Sequence, residues 1–151
     1  LAVSEAALYR HFASKAQMFE GLIEFIEQSL FSLANQIVER EADPAQQVAR
    51  ILGLVLQFAE KNPGMSRVMI GDALVLEHER LQERINLLFD KIEAQLRQTL
   101  KTSNSTTPTA DAQVTASVLV AFMQGRLQRF ARTGFKRLPS EHLQAALARV
   151  L

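Results

Sequence analysis

The stretch QMFEGLIEFIEQSLFSLANQIVE, residues 17–39, decides the fold class of this chain. Large apolar residues recur in it at steps of four, four, three and four, at Leu22, Ile26, Leu30, Leu33 and Ile37. That spacing places them along one face of an α-helix. Ser14 is suited to cap the start of such a helix, and Asp43-Pro44 marks a break after its end. The stretch therefore predicts a long amphipathic helix.

Apolar stripes with the same period continue along the rest of the chain. They predict further helices over residues 48–59, 65–76, 81–96 and 119–134, and a last one from Pro139-Ser140 onward. Asn62-Pro63-Gly64 ends the second helix, and residues 102–110, which lack large apolar groups, form a surface loop. β-branched residues do not alternate with polar ones over the length that a strand requires. We therefore predict an all-α fold.

Composition excludes several classes of protein. The chain has 151 residues, no cysteine, and 17 basic against 16 acidic side chains, so disulfides, thiolate metal sites and cysteine nucleophiles are ruled out. A net charge of +1 argues against a wholesale nucleic-acid coat but leaves room for a local basic contact surface. No apolar run approaches the roughly 20 residues that a membrane span needs, and Leu1 opens no signal peptide. We expect a soluble cytoplasmic domain.

The sequence also carries no catalytic or metal-binding pattern. His11, His78 and His142 lack the spacing of a zinc motif, and neighbouring positions in Glu77-His78-Glu79 point about 100° apart on a helix. With Glu83, this cluster is interpreted as a solvated polar face rather than a metal site. There is no P-loop, GxSxG or GxGxxG, and no serine has a base in register. We expect no enzyme activity, no cofactor and no metal.

The opening stretch, LAVSEAALYRHFASKAQMFEGLIEFI, residues 1–26, indicates a DNA-reading element. Ser4 can cap a short helix with small residues, Ala6 and Ala7, near its start. Small residues allow close approach to base edges in the major groove, while polar residues at the helix end reach phosphates.

Within it VSEAALYRHFASK, residues 3–15, resembles the recognition helix of the TetR family of bacterial helix-turn-helix proteins, with a Val-Ser turn, Leu-Tyr-x-His-Phe and Ser-Lys in order. The resemblance implies a TetR-like architecture: a remnant of the helix-turn-helix DNA-binding domain over residues 1–15, then a helical dimerisation and partner-binding bundle over residues 16–151. The DNA-binding residues it implies are Ser4, Glu5 and Ala6 at the groove and Tyr9, His11 and Lys15 on the phosphates, with Arg10 among the polar residues at the helix end. Alternatively, Tyr9 and His11 merely pack at a helix end.

The family has two further helices before this point, and the chain begins inside the turn that follows them. We therefore expect a truncated DNA-binding headpiece, and we expect the 151-residue chain alone to bind DNA poorly.

The body of the chain narrows the resemblance. Residues 61–98, together with LIEFIEQSL at 22–30 and RFARTGFKRLP at 129–139, are similar to nucleoid occlusion factors, a branch of the TetR family. Those proteins bind palindromic chromosomal sites as dimers and antagonise FtsZ, the tubulin-like division GTPase, by binding its C-terminal tail. The resemblance implies double-stranded DNA, the FtsZ tail and a second copy of the chain as partners, and a nucleoid-associated location in the cytoplasm.

A second surface is indicated between the first two predicted helices. Phe25 lies about 100° from the centre of the first apolar stripe, and Leu54 lies on a separate face of the next helix. Apolar groups beside a polar rim are typical of a groove for a short peptide. The resemblance places the FtsZ-tail groove at Phe25, Leu54, Gln57, Lys61 and Asn62. Alternatively, Leu54 belongs to the core, because its helix is apolar nearly all round.

Three positions near this groove depart from the family pattern. Gln57 stands where glycine is expected, Lys61 where arginine is expected, and Leu33 where a basic residue is usual.

Small residues at four-residue spacing, Ser117, Ala121 and Gly125, indicate a dimer interface, since they let another helix approach closely. With the last helix they could form the two-fold four-helix interface usual for TetR-like proteins, which would set two recognition helices about 34–36 Å apart. A plain solvent-facing surface is the alternative. The basic residues after Gln124 are interpreted first as a solvated face, with attraction to acidic FtsZ segments or membrane lipid as a minor alternative.

Three functions remain open at this point. The leading hypothesis is a dimeric, DNA-bound nucleoid occlusion factor that antagonises FtsZ. The second is a TetR-family transcriptional repressor released by a small-molecule ligand, which would need convergent polar groups around an enclosed pocket. The third is a bare helical dimerisation module.

Overall fold

In the computed structural model, residues 14–101 and 108–151 are described, with side chains from residue 111 onward in the second range. These residues form six α-helices: α1 (Lys15–Arg40), α2 (Pro44–Lys61), α3 (Pro63–Ile70), α4 (Glu79–Lys101), α5 (Pro108–Arg132) and α6 (Leu143–Ala148). A 3₁₀ turn, Asp72–Leu74, follows α3. The described ranges contain no strand, which confirms the all-α prediction. None of their helices is long and apolar enough to cross a membrane.

The first helix begins where the sequence predicts. Ser14 precedes α1 in an extended conformation, and its side-chain oxygen accepts a hydrogen bond from the backbone N–H of Gln17 at 3.1 Å. This satisfies one of the free donors at the helix start. Pro44 opens α2, where a proline costs no hydrogen bond because the first helical N–H is unpaired in any case.

The buried stripe of α1 differs partly from the prediction. Leu22, Ile26 and Leu30 are buried as expected, but Leu33 is exposed and Ile37 is only half-buried. The buried residue in the next turn is Ala34, four positions after Leu30. The core face therefore follows steps of four, and Leu33, three positions after Leu30, falls outside it.

The predicted helix over residues 65–76 is shorter than expected. α3 ends at Ile70, because Gly71 takes a left-handed conformation with φ +90°. A side chain at Gly71 would be strained by that backbone and would also collide with the Gln82 amide. The chain then passes through the 3₁₀ turn and leaves Val75 and Leu76 in the connection to α4.

The last two predicted boundaries also need correction. α5 begins at Pro108, so the last part of the predicted loop 102–110 is helical. α6 begins at Leu143 rather than near Pro139-Ser140. Ser140 is used elsewhere: its backbone N–H donates to a Glu60 carboxylate oxygen at 2.9 Å, and its hydroxyl donates to the same oxygen.

One core joins the helices. α4 packs along α5, while α1 and α2 pack on each other and on α4, and the short α3 bridges to α5. The largest fully buried side chains come from five of the six helices: Ile23, Ile26, Leu52, Leu56, Met69, Leu81, Leu88, Leu96 and Phe130. Among the described residues, none buries the side of α5 that carries Val114 and Val118.

Candidate functional site

The predicted DNA-reading residues fall almost wholly outside the described part of the chain. Those outside it are Ser4, Glu5, Ala6, Tyr9, Arg10 and His11. Lys15, the first residue of α1, is described, and it contacts the body of the molecule. Its ammonium lies 3.2 Å from a Glu77 carboxylate oxygen and 5.8 Å from the centre of the Phe19 ring.

This contact is the first of three ion pairs between α1 and the segment from Glu77 to Arg84, which leads into α4. Glu20 pairs with Arg80, and Glu27 lies 3.6 Å from Arg84. Exposed ion pairs each contribute little to stability. Together, however, they place the beginning of α1 next to the turn before α4.

The predicted peptide groove is in part a real surface feature. Phe25 and Leu54 are half-buried and pack against the core, and the Phe25 ring lies 6.3 Å from the ring of Phe58 on α2. Gln57 and Lys61 are exposed. The structure thus brings an apolar spot and a polar rim together on α2, and Leu54 is shared between core and surface.

Asn62 differs from the other predicted groove residues because only 5% of it is exposed. Its side-chain NH₂ donates to the backbone carbonyl of Phe58 at 2.9 Å. Its backbone carbonyl accepts hydrogen bonds from the N–H groups of Met65 and Ser66. Its side-chain oxygen has no hydrogen-bond partner among the described residues. Asn62 therefore joins α2 to α3. The Asn-Pro-Gly sequence predicted the break but not this burial.

The predicted dimer face is fully open. Ser117, Ala121 and Gly125 are exposed on α5, and a side chain at Gly125 would meet nothing within 4 Å. Two valines that the sequence analysis did not name flank them: Val114 is 64% exposed and Val118 46%. Their spacing of four residues, in step with Ala121 and Gly125, was the signal that could have found them.

A cavity of about 390 Å³ lies beside this face, between α3, α4 and α5. Its lining has no charged side chain and includes four amides and two of the small residues of α5: Gln82, Asn86, Gln124, Gln128, Ala121 and Gly125. Five of the ten lining residues are exposed, while Met69, Ile85 and Phe89 are buried, so the cavity is a cleft that opens to the surface.

The basic residues after Gln124 are not simply a solvated face, as the sequence suggested. Arg126 is half-buried: its guanidinium donates to the Glu141 backbone carbonyl and stacks 4.7 Å from the centre of the Phe122 ring. Arg129 and Arg137 lie 3.5 and 3.3 Å from the Glu141 carboxylate. These contacts attach the segment before α6 to α5.

The neighbouring charges of this cluster lower the pKa values of Glu141 and Arg126. The hydrogen bond from Arg137 and the nearby positive charges hold the pKa of Glu141 below its ordinary value. Partial burial, with Arg129 close by, lowers the pKa of Arg126.

The residues of the polar cluster Glu77-His78-Glu79 do not converge on one site, because Glu77 and His78 contact different partners. Glu77 is engaged by Lys15, and the His78 ring nitrogen accepts a hydrogen bond from the backbone N–H of Arg80 at 3.1 Å. Among residues 14–101 and 108–151, no three metal-ligating side chains of the His, Cys, Asp or Glu type converge.

Comparison with known proteins agrees with this picture of a TetR-like body. Residues 43–149 match the SlmA-like family model described as tetracyclin repressor-like, C-terminal domain. The chain is 49% identical over 146 residues to the nucleoid occlusion factor SlmA of Vibrio atlanticus, covering 95% of this chain and 74% of that protein. It is 51% identical over 142 residues to the SlmA of Alteromonas mediterranea (92% and 73%), and 52% over 143 residues to that of Shewanella oneidensis (93% and 73%).

Proposed function

Since this chain belongs to the SlmA family of TetR-like nucleoid occlusion factors, we propose that it is a dimeric, DNA-bound inhibitor of cell division. In this proposal residues 1–15 belong to the DNA-binding domain and residues 16–151 form the body that dimerises and binds a partner. The protein sits on palindromic chromosomal sites and antagonises FtsZ assembly over the nucleoid by binding the FtsZ C-terminal tail. This role requires no catalysis and no cofactor.

The observation that carries the FtsZ part of the proposal is the apolar spot shared by α1 and α2. Phe25 contacts Phe58, and Leu54 lies one helical turn before Phe58 on the same side of α2. Both Phe25 and Leu54 keep part of their surface exposed, although they pack on the core. A short peptide with apolar anchors would cover that surface.

The rim of this spot supplies the polar contacts that fix a peptide's direction. Gln57 and Lys61 are exposed on α2, three and seven residues after Leu54. The Lys61 ammonium is a mobile cation that can pair with a carboxylate of the peptide. The replacement of the family's usual arginine by Lys61 retains the charge but removes bidentate pairing, so we expect weaker binding than an arginine at this position would give.

Dimerisation is supported by the bare face of α5. The exposed residues of this face are two valines and three small residues, Val114, Val118, Ser117, Ala121 and Gly125, and no described residue buries them. An exposed apolar patch of this kind is typical of an interaction site. A two-fold axis through this face would pair α5 with its copy and would present two DNA-reading segments to one palindrome.

The repressor released by a small ligand is not proposed. That function needs an enclosed pocket with convergent polar groups. The cleft between α3, α4 and α5 has five exposed residues among its ten lining residues, so it opens to the surface, and it adjoins the face assigned to dimerisation.

A peptide-binding experiment tests the proposal. A fluorescent peptide of the FtsZ C-terminal tail is titrated with the wild-type chain and with Phe25→Ala, and anisotropy is recorded. We expect wild-type binding and a loss of affinity of roughly tenfold or more in the variant, since a buried aromatic anchor contributes more than about 1.4 kcal/mol.

The matched control is Phe31→Ala, because Phe31 is also half-buried on α1 and packs on the same core. It removes the same number of atoms away from the groove and should leave peptide affinity unchanged. Chemical denaturation of both variants separates lost binding from lost folding. No binding by the wild-type chain at high micromolar concentration, or equal losses in the two variants, would reject the proposal.

A further inference from the structure

The turn that follows α5 carries a group of exposed basic residues, Arg132, Lys136 and Arg137, which we call the basic turn. The nearby carboxylate of Glu141 is shared between Arg137 and Arg129. Among the carboxylates that the structure describes, none forms an ion pair with Arg132 or Lys136. Positive charge is therefore in excess on this surface.

Contacts with the body hold the basic turn in one conformation. Phe135 has a φ of +65°, which a residue with a bulky side chain rarely adopts. The centre of its ring lies 5.1 Å from that of Phe130 and 5.1 Å from the guanidinium of Arg67 on α3. The Thr133 hydroxyl accepts a hydrogen bond from the backbone N–H of Arg137 at 3.1 Å. The basic side chains thus project from a backbone that is already ordered, which lowers the entropy lost when a partner binds.

The basic turn lies at one end of the peptide groove between α1 and α2. Ser140, four residues after Lys136, donates from its backbone N–H to the Glu60 carboxylate at 2.9 Å. Lys61, the exposed residue on the rim of the groove, directly follows Glu60. Four residues span at most about 13–14 Å, so the backbone of Lys136 lies within that distance of Ser140. The opposite end of α2, at Pro44, is about 24 Å from Glu60 along the helix.

We propose that the basic turn binds an acidic segment of the partner peptide, adjacent to the part of that peptide that occupies the groove. The proposal rests on the FtsZ-tail binding proposed above and adds the charge of the flanking residues. An extended peptide that leaves the groove at Lys61 reaches Lys136 with about four further residues. Carboxylates on those residues pair with Lys136 and Arg132. Exposed charge complementarity of this kind chiefly speeds association and favours the correct partner.

An anionic lipid surface would also attract these cations. The position of the turn favours a peptide, because the Ser140–Glu60 hydrogen bonds join the turn to the end of α2 at which the groove ends. A peptide in the groove is therefore brought next to the basic turn by its own binding, which raises the local concentration of its flanking residues.

Peptides with charged extensions test the proposal. The fluorescent FtsZ-tail peptide is extended by four glutamates or by four glutamines, at its N-terminal or at its C-terminal end, and each version is titrated with the chain. At one of the two ends, the glutamate version should bind about threefold to tenfold more tightly than the glutamine version. The other end lies away from the basic turn and should show no such difference. Raising the salt concentration from about 0.05 M to about 0.5 M should remove most of the gain, because salt screens exposed charges.

The test variant is Arg132→Glu with Lys136→Glu, which should abolish the preference for the glutamate extension. The matched control is Lys91→Glu with Lys101→Glu, which changes the net charge equally at exposed positions of α4 and should keep the preference. Circular dichroism checks that both variants stay folded, as expected for substitutions at exposed positions.

The outcomes separate this proposal from the peptide groove itself. If the unextended peptide binds but the glutamate and glutamine versions bind equally at both ends, the basic turn has no such role and the groove is unaffected. If the unextended peptide does not bind, both proposals fall. Loss of the preference in the control as well would show that net charge alone attracts the peptide, which overturns the proposal. Equal affinity for the two extensions, with binding to anionic lipid vesicles that only the test variant loses, would assign the turn to a membrane surface and would also overturn it.

Discussion

The sequence indicated two binding surfaces, one around Phe25 between α1 and α2 and one on the outer face of α5, and they differ in how far their apolar residues are buried. At the first, the apolar residues are largely accounted for by the core: Phe25 packs on Phe58, and Leu54 is half-buried. At the second, Val114 and Val118 point away from the core and have no cover from the described residues.

This difference separates two kinds of binding surface. A face that exposes large aliphatic groups needs a permanent partner, because its exposure to water is unfavourable. A surface whose apolar residues are already half-buried against the core exposes less apolar area without a partner, and it suits a transient one. The proposed dimer face and the proposed peptide groove would therefore suit a DNA-bound protein that stays paired and binds FtsZ transiently.

The largest expected effect concerns the α5 face. Val118→Asp would place an unpaired charge in the proposed dimer interface and should weaken dimerisation by about 3–5 kcal/mol, over a hundredfold. Sedimentation equilibrium of the purified chain measures this directly. Leu33→Asp is the control, since Leu33 is an exposed aliphatic residue on α1 and its substitution should leave the dimer intact. A wild-type chain that sediments as a monomer at all concentrations would remove the contrast.

The second prediction concerns Asn62, which the sequence grouped with the groove and the structure places in the interior. Asn62→Ala should lower the free energy of unfolding by about 0.5–1.5 kcal/mol, because the Phe58 carbonyl loses its side-chain donor but keeps the backbone N–H of Asn62. Gln57→Ala, at an exposed position on α2, should stay within about 0.5 kcal/mol of the wild type. Urea denaturation followed by circular dichroism distinguishes the two. Equal stability of both variants would mean that Asn62 is not structural.

The third prediction tests the connection between the two regions. Glu60, near the end of α2, accepts hydrogen bonds from Ser140, which follows α5. Ser140→Ala removes the hydroxyl donor but keeps the backbone donor, so we expect a loss of about 1 kcal/mol in unfolding free energy. Ser32→Ala, at an exposed position of α1, is the matched control. If the two serine variants are equally stable, the Glu60–Ser140 link contributes nothing.

The smallest expected effect is a pH dependence near α6. The folded-state pKa of Glu141 lies below its ordinary value of 4.5, chiefly because Arg137 donates a hydrogen bond to it. The carboxylate therefore contributes stability above pH 4.5, and this contribution is lost as the pH falls through the lower folded pKa. Denaturation curves for the wild type and Glu141→Gln should converge in that acidic range. A constant difference at all pH values would contradict this.

The sequence predicted the helical framework well, because the 3.6-residue period and the proline breaks are local signals. Ser14 and Pro44 act where they were expected to act. The failures come from interactions between distant residues. Gly71 ends α3 early, where Gln82 packs against it, and Ser140 contacts Glu60 instead of starting a helix.

The same limit applies to the candidate site. The pattern on α2 placed Leu54, Gln57 and Lys61 on one face, but the burial of each residue depends on what the other helices cover. Asn62 is consequently buried, and the aliphatic pair at residues 75 and 76 is exposed, although the sequence assigned that pair to a helix. The DNA-reading residues up to His11 lie outside the described part of the chain, and their roles stay predictions.

Hydrogen exchange with and without the FtsZ-tail peptide tests the central claim most directly. The account predicts that amides at the outer face of α5, around residues 114–125, are protected more strongly as protein concentration rises, whether or not peptide is present. Amides around Phe25 and from Leu54 to Lys61 should gain protection only when peptide is added. Protection by peptide at the α3–α4–α5 cleft instead, or no protection anywhere at saturating peptide, would contradict the account.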